Sequence, residues 1–234
     1  VGKQPEGRYV SSAKKLSNAD PGDVVKFGVD PTGPVGGSLL ANLIQNPSLM
    51  ERVNQGREVG YIIIIVGLFG IGVAFWKLFT LYNMGVAVKK QTKSKSHDQN
   101  NPLGRVLAVG EQHMGKDIET LELKLAEAIM AERPAIERGI PVVKIISVVA
   151  PLAGLLGTVT GMIVTFQQIT LFGTGDPKIM AGGISQALVT TVLGLVVAIP
   201  TTLLHSFANS SARGIINVLE EQSTGIVAEH SDSK

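Results

Sequence analysis

Two stretches without a single charged residue dominate the second half of the chain. After Lys144 the next charge is Asp176, and after Lys178 the next is Arg213. Each stretch holds about 30 residues, where about 20 cross the hydrocarbon of a bilayer. A water-soluble fold would have to bury two helices of that length inside one small domain, far beyond the usual helix length. The chain is therefore read as an all-α membrane protein. Only 17% of its residues are charged, against about a quarter in soluble domains.

A third apolar run, "VGYIIIIVGLFGIGVAFW", begins at Val59 and ends at Trp76. It continues towards Tyr82 if Lys77 extends its ammonium to the membrane surface. Tyr61 and Trp76 stand near its ends, where amphipathic rings favour the interface. The expected organisation is an N-terminal segment over 1–58, a first span over 59–82 and a helical loop over 83–141. A second span follows over 142–172, a tight turn over 173–178, a third span over 179–212 and a C-terminal helix or tail over 213–234. The turn is so short that spans two and three must be antiparallel neighbours.

Up to about Asn54, Gly, Pro, Asp and Ser are dense and no period persists, which reads as loop or extended chain. Within it "GSLLANLIQNPSLMERV" reads either as two short amphipathic turns, Leu39 to Ile44 and Leu49 to Val53, suited to a headgroup region, or as a mobile linker. The start has no Met and no signal peptide, which reads as a processed form or a fragment. Lys89, Lys90, Lys93, Lys95, Arg133 and Arg138 flank the spans on the large-loop side. The positive-inside rule then puts that loop and the C-terminus in the cytoplasm and the N-terminus outside. In the loop, Ile118, Leu121, Leu125, Ala128 and Ile129 mark an amphipathic helix that Pro134 should kink or break. A near-balanced charge of +2 gives no sign of nucleic acid binding, and the absence of cysteine excludes disulfides and cysteine metal sites.

The second and third spans carry polar stripes. Ser147, Pro151, Gly154, Thr158, Gly161, Thr165 and Gln168 follow one another at steps of four and three, on one narrow helical face. In the third span Gln186, Thr190, Gly194, Val197, Thr201 and His205 stay within about 100° at 100° per residue, with Thr191 on the flank. Two readings stand side by side. Small residues let helices approach and hydroxyls bond across them at about 1 kcal/mol each, which suits Gly154, Gly157, Gly161 and Gly194. Alternatively Thr158, Gln186 and Thr190 line a hydrated path or meet a partner helix, as intramembrane polar groups do when they face a bundle interior. Three helices are too few to enclose such a path, so the chain must oligomerise or admit another helix. From Ile145 to Ala212 the ionisable groups are Asp176 and Lys178, in the turn, and His205 near the far end. No acid stands in mid-membrane, so a proton relay would need its titrating group from a partner.

"APLAGLLGTVTGM" and "GISQALVTTVLGLVVAIP" resemble the MotA/TolQ/ExbB proton-channel family, and the resemblance runs from about Val59 to His230. The lead-in "NPSLMERVNQG" is similar to that of ExbB-like members with a periplasmic N-terminal extension, which belong to TonB-type systems. The resemblance implies a ring, a pentamer, in the bacterial inner membrane, with long cytoplasmic helical extensions. It also implies an ExbD/TolR-like single-span partner whose membrane Asp sits in the central pore, and a TonB-like protein driven by proton flow. Thr158 and Thr191 correspond to residues that face that Asp, and Gln186, Thr190 and Thr165 complete the expected lining. Relatives usually place Glu at Gln186, and Gln cannot ionise. A non-conducting scaffold and a MotA-type flagellar stator are the rival readings; stators usually have four spans. No cofactor is expected, and no nucleophile–base pair, metal spacing or phosphate loop suggests an enzyme.

Overall fold

The computed structural model describes residues 7–26, 49–94, 98–173 and 177–232, which form helices, turns and short irregular links, with no strand among the described residues. Two units are distinguished, Val1–Asn54 and Gln55–Lys234. The first contains α1 (Gly7–Ser17), where the sequence reads as loop. Lys14 and Lys15 in its last turn favour the negative end of the helix dipole. Tyr9, Val10, Ala13 and Leu16 fall on one face of it, a period hidden in the sequence by the Ser and Lys residues between them. The stretch from Leu39 to Ile44 lies outside the described residues. The Leu49–Val53 turn forms as α2 (Leu49–Gln55).

In the second unit α3 (Arg57–Gln91), α6 (Ile140–Phe172) and α7 (Pro177–Asp232) are long and apolar enough to cross a membrane. Between α3 and α6 lie α4 (Pro102–His113) and α5 (Ile118–Glu137). α7 is one helix of 56 residues, about 84 Å at 1.5 Å per residue, so its last half leaves the apolar zone. Phe69, Phe75, Phe79, Leu155, Phe166, Leu188 and Leu195 stand exposed along the three long helices, a surface that water would penalise and lipid accepts.

The two ends of this unit are built by different forces. In the membrane-distal head, α4 and α5 close over α3 and α7 with a core of full-sized side chains, among them Leu81, Leu103, Leu121, Leu125, Ile136 and Leu219. Burying such groups from water stabilises by about 1.5–3 kcal/mol each. In the membrane zone the core reduces to Ile63, Ile146, Ala150, Val197 and Ala198. There lipid is as apolar as protein, so close approach of small residues takes over.

Several local devices fix the head. Asn101 caps α4 by accepting from the Gly104 N–H at 2.8 Å, and its amide donates to Gln91 Oε1 at 3.2 Å and Asp98 O at 2.9 Å. Arg105 grips Glu132 with both prongs at 2.7 Å, tying α4 to α5. That bond holds the guanidinium proton more tightly than usual. Gly139, at φ 87°, turns the chain from α5 into α6 in the left-handed region that side chains avoid.

Two expectations meet the structure here. Of the kink or break expected at Pro134 the break does not occur: α5 runs on for one more turn to Glu137, with the proline giving up only its own bond to the Met130 carbonyl. Lys77 does not reach out to the surface. It is 2% exposed and its Nζ donates to Ala135 O at 3.2 Å, so the ammonium meets the carbonyl-rich end of α5 instead of water.

Candidate functional site

α6 and α7 form the closest helix contact of the molecule, and its sequence explains why. A β-carbon at Gly154 would stand 2.9 Å from Thr190 O and 3.2 Å from Thr191 Cα. At Gly161 it would meet Gly183 O at 2.8 Å and Ala187 N at 2.9 Å, and at Gly194 it would meet Ala150 O at 2.7 Å. At Gly157 it would overlap the Thr190 side chain. Of the four glycines singled out in the sequence, Gly154, Gly161 and Gly194 therefore sit where backbones nearly touch, and Gly157 sits where the Thr190 side chain fills the space. Gly183, not singled out, faces the Thr165 hydroxyl in the same seam; its backbone contact with Gly161 shows only in three dimensions.

The five expected lining residues fall into three environments. Thr190 and Thr165 are inside the α6–α7 seam, at 0% and 4% exposure. Thr190 Oγ1 donates to the carbonyls of Gln186 and Ala187 at 3.1 and 3.0 Å, and Thr165 Oγ1 to Gly161 O at 3.0 Å. Their hydroxyls are thus committed to their own helices. Gln186 is buried about 40° further round α7 from the seam than Thr190, towards α3. It lies eleven residues before Val197, about 20° away at 100° per residue, and Val197 is the side chain that a β-carbon on Gly67 of α3 would strike. The neighbouring Ser185 Oγ donates to Gln55 Oε1 at 2.8 Å, which sets the start of α7 beside the start of α3.

Thr158 and Thr191 form the third environment. Both are partly exposed. Thr158 is twelve residues past Ile146, the residue under Gly70 of α3, hence about 120° round α6. Thr191 is six residues before Val197, again about 120° from the α3-facing direction. Both hydroxyls therefore stand on the flank of the seam turned away from α3. They donate only to Leu155 O at 2.6 Å and Ala187 O at 3.4 Å, which leaves their lone pairs available. This flank can order water or accept from a protonated acid, but it cannot itself carry charge. Among the described residues no group of three or more His, Cys, Asp or Glu could hold a metal ion.

The model of the MotA/TolQ/ExbB proton channel family matches residues 98–221, which take in α4 through most of α7. The chain belongs to this family. Within it the similarity is to ExbB-like proteins. An ExbB-like protein 1 of Synechocystis sp. is 29% identical over 175 residues, covering 67% of this chain and 69% of that protein. An ExbB homolog of Methanothermobacter thermautotrophicus is 26% identical over 189 residues, 74% of this chain and 67% of its own. The biopolymer transport protein ExbB of Aquifex aeolicus is 48% identical over 58 residues, a quarter of this chain (25%) and 39% of that protein. The matched region of this family member contains the whole α6–α7 seam and both outward-facing threonines.

Proposed function

We propose that this chain is the ExbB-like subunit of an inner-membrane, proton-driven motor that energises TonB-dependent outer-membrane transport. The supporting observation is the pairing of Thr158 and Thr191 on one open flank, in helices with no mid-membrane acid. Copies arranged as a pentameric ring, each turning that flank inward, enclose a collar of hydroxyls. A single-span ExbD/TolR-like partner then supplies the titrating Asp, and a TonB-like protein receives the work. The head and C-terminus lie in the cytoplasm and the N-terminus in the periplasm. Each charge crossing yields about 2.3 kcal/mol per 100 mV. Thr158 and Thr191 face the partner, while Gln186, about 140° round α7 from Thr191, stands on the α3 side. Thr190 and Thr165 support them by fixing the seam, with Gly154, Gly157, Gly161 and Gly194 as the packing surface.

The test replaces Thr158 and Thr191 by Val, keeping shape and removing the hydroxyls. Proton-dependent uptake should collapse while the complex still assembles; unchanged uptake would sink the assignment. Gln186 favours a second reading. It is 7% exposed and cannot ionise, whereas the family resemblance leads one to expect Glu there, as fits a scaffold that conducts nothing. Gln186→Glu separates the two, since a scaffold shows no change in ion flux.

A further inference from the structure

The head carries a crevice that the seam does not explain. It lies between α5 and α7, encloses about 230 Å³, and is lined by Glu122, Leu125, Ile129, Glu220, Ser223 and Thr224 among others. That is several times the roughly 30 Å³ share of one water. Ser223 is 6% exposed, lines the crevice, and its Oγ has no hydrogen-bond partner. Buried hydroxyls are nearly always paired, so this one points to a group that arrives from outside. Two carboxylates at the rim and an apolar wall describe that group: a cationic head on an aliphatic stem.

On the opposite flank of α7 runs a groove against α3, where Lys89 lies beside Val218. Val218 and Glu220 are two residues apart, about 200° round the helix and about 3 Å along it. Lys89 thus lies level with the near end of the crevice, about 3 Å short of Glu220 and about 8–9 Å short of Ser223 and Thr224 along the axis, a span its own side chain bridges, and the two face opposite ways. Lys89 is exposed and forms no ion pair among the described residues. A ring whose axis follows the membrane normal keeps every copy at the same height, and its head-to-tail contacts join two different flanks of the chain.

We propose that the crevice receives Lys89 of the neighbouring copy. The stem lies along Leu125 and Ile129, and the ammonium donates to Ser223 Oγ and to the carboxylates of Glu122 and Glu220. The proposal rests on the ring reading above. It assigns which flanks meet and in what order round the ring.

The chain has no cysteine, so disulfide trapping is clean. Lys89→Cys and Thr224→Cys are placed in one full-length chain, in membranes with its partner. α7, about 10 Å across, separates the two positions within a copy, so any bond joins two copies. Oxidation should give a ladder of linked multimers that neither single variant gives, with native mass spectrometry reading the ring independently. Intact rings with no ladder overturn the proposal and leave the ring reading standing; monomers alone overturn both. A charge exchange adds a second measure. Lys89→Glu and Glu220→Lys should each speed subunit exchange about tenfold, and together return it to within about threefold of wild type. A double variant near the hundredfold product also overturns it.

Discussion

Gly157 on α6 lies against the Thr190 side chain on α7, with no room between them for a β-carbon. The seam is thus set by one residue having no side chain and its partner having a short one. Gly157→Ala should lower the thermal stability of the purified protein by about 1–3 kcal/mol, the usual cost of overpacking. Thr190→Gly in the same chain should recover most of it, whereas Thr190→Ala should not, because the Thr190 Cβ is itself one of the atoms in the way. Gly161→Ala should resist any such rescue, because its obstacles, Gly183 O and Ala187 N, are backbone atoms.

The threonines should separate by assay. Thr158→Val or Thr191→Val is expected to leave assembly and melting near wild type while ion-coupled transport falls at least about tenfold, a loss of about 1.4 kcal/mol in coupling. Thr190→Val should instead act through the fold, destabilising the purified protein by up to about 1 kcal/mol and so lowering its melting temperature, as the bonds to the Gln186 and Ala187 carbonyls are lost. A Thr190→Val protein that melts normally yet fails to couple would move Thr190 out of the packing role.

Lys77 joins two helices through a single bond to Ala135 O. Lys77→Met keeps length and apolar bulk while removing the donor. The end of α5 should loosen by about 1 kcal/mol, seen as about fivefold faster hydrogen exchange over residues 134–139. Unchanged exchange would show that the buried ammonium contributes nothing there.

Gly104 and Gly110 share α4 but should respond differently. A β-carbon on Gly104 runs into the Asp98 carbonyl, whereas one on Gly110 meets the flexible tips of Ile226 and Leu125, both at 3.2 Å. Gly104→Ala should displace the segment from Asp98 to Asn101, break the Gln91–Asn101 bond and speed proteolysis there. Gly110→Ala should be close to neutral, since helix propensity offsets the tight fit.

The spans were legible because charge-free length admits few alternatives, and the four glycines because small residues at steps of three and four mean close approach. The division of labour among the threonines was not. A stripe about 100° wide holds both the centre of a helix contact and its flanks, and only the position of α3 says which is which. Hence Thr190 and Thr158 look alike in sequence and differ completely in exposure. Lys77 was misread for a related reason, since its acceptor, Ala135, lies 58 residues away. Ser223 gave no signal at all, because lacking a partner is a property of three-dimensional surroundings.

Because α7 runs as one helix from Pro177 to Asp232, with Pro200 inside it, it works as a lever hinged where the proline removes a backbone bond. Pro200 and Ser223 are about 35 Å apart along its axis. A bend of a single degree at the proline therefore swings the serine by roughly 0.6 Å, comparable to the give of a hydrogen bond. In the ring proposed above, strain at the membrane end is felt, magnified, where neighbouring heads would meet.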